Sequence, residues 1–518
     1  MVDQMRADAV DRFKGDWSAG LKRLVTQGAW FRRAAYPYLT TVTCAGHATV
    51  SSGTFPHTHG VFQNAWWDRD AHRVMTCTED PNTKDIGYNT QVIGGDSGYR
   101  MLVPSFADEM RSQRSARVVT LALKDRSAVM LAGHHADATT WLANTLDGWE
   151  TSPALTGQSS AAVKAFSEAN PLDADYGKVW SRLMPESKYQ GPDDGLAEAP
   201  PTGWTATFPH VLRSASGKPD REFRSQWETS PYADAYVGRF AAALVESLQL
   251  GKHSGIDVLG ISFSSPDLVG HAFGPRSQEV QDMYAHLDRT IGTLLDRLDE
   301  LVGRDEYVVG LSSDHGVTPI PEQLVKAGED AGRINIASMI EAVEERTRAA
   351  LGPGKYVPVM SGNDLYFEPG VYEDLRAKPG ALDAVVAALA SRPGVARVFR
   401  GEQLRDAANA ADPLLRAAAL SYYPGRSGDL IVAPKPGWMF SGRGTTHGSA
   451  SADDQRVPLV FMGRGIKPGE YSEAATPADL APTLAAMCGI TMSHAEGHVL
   501  LEALTFAPET VSARSSAR

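Results

Sequence analysis

Residues 256–316 read IDVLGISFSSPDLVGHAFGPRSQEVQDMYAHLDRTIGTLLDRLDELVGRDEYVVGLSSDHG, and the pattern inside them decides the fold. Two apolar runs, Ile256–Phe263 (IDVLGISF) and Tyr307–Ser313 (YVVGLSS), have the length and composition of buried strands. Between them Val280, Met283, Leu287, Ile291, Leu294, Leu298 and Leu301 fall three or four apart, the spacing of one helix face. The segment is therefore a strand-helix-strand unit. Further apolar runs at Arg117–Leu123 (RVVTLAL) and Val457–Met462 (VPLVFM) extend the pattern to an α/β chain with a mainly parallel sheet. Each strand of the unit ends at an Asp and a His: Asp267 and His271 follow the first, Asp314 and His315 the second. Open α/β sheets place their sites at the carboxyl ends of strands.

Working outward, the 518-residue chain has room for one large domain with insertions, and we read residues 1–518 as a single catalytic domain. The insertions are taken as about 145–229, rich in Pro, Ser, Gly and Trp, and about 320–443, which mixes helices with a strand at Asn363–Phe367 and ends in Pro- and Gly-dense turns. Both are expected to build a lid over the sheet edge. A formal charge of -12 argues against a nucleic-acid backbone as partner, because such binders usually carry a basic face. No apolar run approaches a membrane span, and no basic-then-apolar leader opens the sequence. Cys44, Cys77 and Cys488 are too few and scattered for a disulfide framework, and their odd number leaves at least one free thiol. The final TVSARSSAR reads as a disordered tail.

Asp and His residues recur at intervals over nearly the whole chain: Asp3, Asp267 and His271 in SPDLVGH, Asp314 and His315 in LSSDHG, and His447 in GRGTTHGS. An Asp and a His four apart on a helix can face one ion, and carboxylate with neutral imidazole is a favoured mixture for zinc. Six such groups suit two zinc ions. Each match alone has a plain alternative, a surface ion pair or a solvated loop histidine; their joint occurrence at strand ends favours ligation. Gly316 after the Asp-His doublet lets the backbone turn sharply, so that both side chains reach one site. Thr43, in YLTTVTCAGHATVSSG, is the candidate nucleophile. Cys44–Ser52 reads as a short helix with Gly53 as its C-cap, making Thr43 the N-cap. Its hydroxyl then either caps orphan amides or attacks, helped by the helix N-terminus. For Cys44 a small buried residue at a tight turn is the better reading than a thiol nucleophile.

The strings DQMRAD, TVTCAGHATVSSGTFPHTHGVFQNAWWDR, LKDRSA, SPDLVGHAFGP, SSDHG, THGS and TPADLAPTLAAMCGI resemble, in order, the alkaline phosphatase superfamily, and most of all its bacterial branch with a threonine nucleophile. The resemblance implies a three-layer α/β/α sandwich with inserted lids. It implies that Asp267, His271 and His447 hold one Zn²⁺, and that Asp3, Asp314 and His315 hold a second with Thr43 as its fourth ligand. Asn64, Lys124 and Arg126 correspond to the family's phosphate-binding groups; a turn asparagine and a solvated charge pair are their plain alternatives. Lys124 and Arg126, two apart on an extended strand end, would share one side. The implied activity is hydrolysis of small-molecule phosphate monoesters through a phosphothreonine on Thr43. A phosphodiesterase or nucleotide pyrophosphatase is the runner-up, since those relatives share ligands and nucleophile, and a non-catalytic phosphate- or metal-binding protein is the alternative of another class. The sulfatase signature, Cys or Ser-x-Pro-x-Arg, is not found around Thr43. The family's usual compartment implies a periplasmic or secreted protein. Only Met1 and Val2 precede Asp3, so we expect a start truncated before a strand and leader, and a loosely held Asp3.

Overall fold

Strand Val118–Ala122 shows how the layers arise. Its side chains alternate, as extended backbone requires. Val119 and Leu121 join a core with Tyr236, Phe240, Met283 and Leu287 of the helices Pro231–Ser247 and Gln278–Leu301. Ala122 packs with Ala128 and Val129 of helix Asp125–Ala132, and Val118 with Ala132. In the computed structural model, which describes residues 1–505, the sheet therefore lies between two helical layers, and the tail expected at 510–518 falls outside the described residues.

One half of the sheet runs in the order Val258–Ser262, Val118–Ala122, Ala138–Leu142, Trp149–Thr151, Ile86–Tyr88, and the other Val308–Ser312, Leu459–Gly463, Ala29–Ala34, Gly469–Ala475. Residues 1–3 join them. Phe263 N–H donates to Met1 O (3.1 Å), Asp3 N–H to Phe263 O (2.9 Å) and Val2 N–H to Ser312 O (3.0 Å). Val2 pairs parallel with Phe263. The centre is parallel, as the sequence pattern indicates, through Val258–Ser262, Val118–Ala122 and Ala138–Leu142. The flanks are mixed: Leu459–Gly463 is antiparallel to both neighbours, and Trp149–Thr151 likewise. An apolar run buried on both faces carries no mark of its direction, so periodicity could not show this.

The range 145–229 opens with Trp149–Thr151, a strand of the sheet, and its later part sends Trp180, Leu212, Phe223 and Trp227 into the main core. It thickens the helical layer as well as covering it. The range 320–443 builds a second, antiparallel sheet in the order Val359–Ser361, Asp364–Tyr366, Leu430–Pro434, Val395–Arg400. Met339, Val343, Leu365, Val385, Leu389 and Val432 form its own core. This unit leans on the segment next to Asn64, where Gln63 Nε2 donates to Asp364 Oδ2 (3.2 Å) and Ser361 Oγ to Ala65 O (2.8 Å). No described helix is long and apolar enough to cross a membrane.

Three local expectations change. The helix is Thr43–Ser52 with Val42 at its N-cap, so Thr43 is its first residue; Gly53 is the left-handed C-cap at φ 69°. Cys44 forms a disulfide with Cys77, which leaves Cys488 as the free thiol and removes Cys44 as a thiol nucleophile. Asp3 is fully buried and pinned from both sides, because the strand-like pairing of residues 1–3 supplies the hold expected to be missing.

Candidate metal centre and nucleophile

The carboxyl ends of the central strands deliver the ligands. Strand Val258–Ser262 runs into helix Ser265–Phe273, whose first turn carries Asp267 and whose next turn carries His271, with Nε2 3.2 Å from Asp267 Oδ1. His447 arrives from a distant loop and places Nε2 3.8 Å from the same oxygen. These three groups are disposed to surround one ion. Val308–Ser312 leads directly to Asp314 and His315. His315 Nε2 lies 3.4 Å from Asp314 Oδ2, 3.7 Å from Asp3 Oδ1 and 3.5 Å from Thr43 Oγ. The two clusters adjoin, with the His315 and His447 rings stacked at 3.5 Å.

Whether this donor set fits metal can be judged from its hydrogen bonds. Asp3 Oδ1 and Asp314 Oδ2 are buried and make no hydrogen bond, a costly condition for carboxylate oxygens that a cation between them would relieve. The histidines agree. Nδ1 of His271 meets Thr445 O (2.8 Å), that of His447 meets Thr41 O (2.7 Å) and that of His315 meets Gly316 O (2.9 Å). A carbonyl can only accept, so each ring carries a proton on Nδ1 and turns Nε2 inward as the nitrogen that could ligate. Burial, with Asp267 and Asp314 nearby, pushes the Asp3 carboxyl well above the usual range. Burial pushes Asp314 the same way, but His315 and His47 hold it well below. The residues present therefore fit divalent metal at both clusters.

Helix Thr43–Ser52 brings the hydroxyl to the second cluster by close approach. A Cβ on Gly46 would lie 2.1 Å from Asp314 O, so only glycine lets the helix come this near. Gly316 serves the same purpose: its φ is not left-handed, and a Cβ there would lie 2.1 Å from Asp453 O. Proximity rather than a sharp turn fixes that residue.

The proposed phosphate-binding groups are placed less uniformly. Asn64 Oδ1 accepts from Cys44 N–H at 2.8 Å, which sets the side chain beside Thr43. Lys124 Nζ donates to Asp3 Oδ2 (2.6 Å) and Asp267 Oδ2 (2.5 Å), spanning the two clusters. Lys124 has extended dihedrals, but helix Asp125–Ala132 begins at the next residue. Arg126 thus lies in a first helical turn and does not share a strand side with Lys124. Its ion-pair partner is Asp125 at 3.5 Å, and its buried Nε has no hydrogen bond.

Three contributors were not picked out from sequence. His47 is fully buried one turn after Thr43, with Nδ1 2.9 Å from Thr43 O and 3.3 Å from Asp314 Oδ2, and Nε2 2.8 Å from Ser262 Oγ. Its spacing of four from the nucleophile was the available signal. Gln4, left-handed at φ 63°, donates its N–H to Asp314 Oδ1 (3.1 Å) and its Nε2 to Asp267 Oδ1 (2.6 Å). Strain of this kind persists only where surrounding contacts enforce it. Asp454 accepts from Ser449 N–H, Ser449 Oγ and Thr318 Oγ, tying the His447 loop to the segment after His315.

Comparison with known proteins gives this arrangement its relatives. Alkaline phosphatase PafA of Elizabethkingia meningoseptica is 27% identical over 95% of this chain and 90% of its own length. Alkaline phosphatase PhoK of a Sphingomonas species is 30% identical over 94% and 87%. The crystal structure of wild-type PafA superposes with a TM-score of 0.88, covering 97% of this chain and 98% of that one, at 27% identity. The family model for type I phosphodiesterase / nucleotide pyrophosphatase matches residues 1–455. The alkaline-phosphatase-like α/β fold and the superfamily resemblance read from the motifs both hold, and the chain belongs to the type I phosphodiesterase / nucleotide pyrophosphatase family.

Proposed function

We propose that the protein is a metal-dependent phosphate monoesterase that works through a phosphothreonine on Thr43. The observation that carries this is the convergence on His315 Nε2 of Thr43 Oγ and two orphaned carboxylate oxygens, those of Asp3 and Asp314. Relatives over nearly the full length that are named alkaline phosphatases support the same reading. Asp267, His271 and His447 would hold one divalent ion, and Asp3, Asp314 and His315 with Thr43 the other. Three imidazoles among the donors favour zinc. Bound there, the ions would supply the positive charge that favours an ionised hydroxyl and a departing alkoxide. Thr43 Oγ attacks phosphorus as the bond to the ester oxygen breaks; water then attacks the phosphothreonine, phosphate leaves and Thr43 regains its hydroxyl. Asn64, Lys124 and Arg126 would receive the phosphoryl oxygens, Lys124 from its position between Asp3 and Asp267. The Cys44–Cys77 disulfide supports a periplasmic or secreted setting, since such bonds persist in oxidising compartments.

A phosphodiesterase or nucleotide pyrophosphatase is the second reading, because the matching family carries those activities in its description. The test is turnover of an aryl phosphate monoester beside its diester, with metal content measured on the same sample. Preference for the monoester supports the proposal; preference for the diester replaces it. Phosphate binding without turnover of either would make the protein a binder.

A further inference from the structure

The residue after Thr43 is covalently tied to the far end of a hairpin. Cys44 is the second residue of helix Thr43–Ser52, the antiparallel hairpin Ala65–Asp68 and Arg73–Thr76 follows, and Cys77 comes directly after it, closing a disulfide across 33 residues. Asn64 is gripped by both halves. Cys44 N–H donates to Asn64 Oδ1 (2.8 Å), and Cys77 N–H donates to Asn64 O (2.9 Å). A backbone N–H can only donate, so the amide oxygen of Asn64 must face Cys44 and its NH₂ must face away. Among the described residues that NH₂ meets no acceptor. Both half-cystines are fully buried in a cluster with Ala48, Phe62, Trp66 and Met101, so apolar packing already holds the region together. What the covalent bond adds is a fixed spacing between the helix start and the hairpin.

We propose, resting on the monoesterase reading above, that the Cys44–Cys77 disulfide is a positioning element for substrate. It fixes Asn64 relative to Thr43 so that the free NH₂ donates to a non-bridging oxygen of the phosphoryl group that Thr43 attacks. A donor held in place before binding gives up little freedom on binding, and a shift of about 1 Å is enough to cost a large factor in rate.

The test compares wild type, Cys44→Ala/Cys77→Ala, Asn64→Ala and the triple variant. It measures kcat and KM on an aryl phosphate monoester, inhibition by inorganic phosphate, metal content and thermal melting. The double cysteine variant should lose about tenfold or more in kcat/KM and bind phosphate correspondingly more weakly, with metal content unchanged. In the Asn64→Ala background the same change should cost less than about twofold, because the group it positions is gone. Equal losses in both backgrounds, or an unchanged phosphate affinity, would overturn the proposal. If the double variant fails to fold, Cys77→Ala alone repeats the comparison; failure of both to fold shows that the bond serves the fold and overturns the proposal as well. Were the wild type inactive on monoesters, the monoesterase reading would fall, while the phosphate-inhibition arm, read as binding of phosphate alone, would still decide whether the disulfide acts through Asn64.

Discussion

Thr43 is first in its helix and has no capping partner to serve, which leaves the hydroxyl free for chemistry. Thr43→Ala should lower monoester turnover on the order of 10³-fold or more, while Thr43→Ser keeps substantial activity because the attacking oxygen survives. Mass spectrometry after an acid quench should find phosphate on Thr43, and near wild-type turnover by Thr43→Ala would defeat the scheme. The two cations next to the site separate by partner. Lys124 touches two carboxylates of the clusters, so Lys124→Ala should lower metal content together with rate. Arg126→Ala should leave metal content alone and cost monoester kcat/KM about tenfold to a hundredfold, at roughly 1.5–3 kcal/mol per lost charge-assisted bond, with a smaller loss on the diester. The candidate ligands could be singled out by residue type and spacing, and the structure brings them together. The partners of Lys124 were not, since they lie 121 and 143 residues away and only the assembled sheet brings them together.

Elements place these side chains, and one tight constraint is the contact of helix Thr43–Ser52 with Asp314. Gly46→Ala would need Asp314 O to retreat from a 2.1 Å contact; we expect a destabilisation of about 1–3 kcal/mol and a loss of turnover larger than that implies, because Thr43 moves with the helix. A melting curve and a rate on the same preparation check it. A second element contact is titratable. His134, just past the end of helix Asp125–Ala132, offers Nδ1 to Asp108 Oδ2 (2.8 Å) of helix Phe106–Arg114 and Nε2 to Met101 O (2.9 Å), and only the protonated ring can donate to both. The hydrogen bond to Asp108 raises its pKa above the ordinary 6.5. The stabilisation is therefore complete below about pH 6.5 and fades as pH rises through the raised value. His134→Ala should cost on the order of 1 kcal/mol near pH 5.5 and less near pH 9, read as the difference in melting from wild type at each pH. The helix Gln278–Leu301 was readable from its stripe, as was the glycine stop at Gly53. The direction of Leu459–Gly463 and the Cys44–Cys77 pairing were not, because both depend on which neighbour the chain meets in space.

For the molecule as a whole, the two candidate ligand clusters sit where the halves of the sheet meet, so ions bound there would join distant parts of the chain. Purified protein should contain about two zinc ions per chain, and a chelator should abolish activity that added zinc restores. Melting should fall on chelation, by the equivalent of roughly 2.7 kcal/mol where metal had stood at a hundred times its Kd. Unchanged melting and full activity in metal-free protein would refute the assignment. The class of fold could be read from strand and helix alternation, and so could the strand Asp364–Tyr366; the rest of the antiparallel sheet within 320–443 could not, because its strands are three to six residues long and leave little periodicity. The seam made by residues 1–3 also governs the order of manufacture. Synthesis runs from the amino end, so residues 1–3 are made long before Phe263 and Ser312, whose backbone groups they pair with, and before His447. Asp3 is thus made early and held in place late. Any product that stops short of His447 exposes unpaired strand edges or unshielded carboxylates and is a candidate for aggregation and clearance rather than catalysis. On the proposed ligation, activity would report that translation has run past His447.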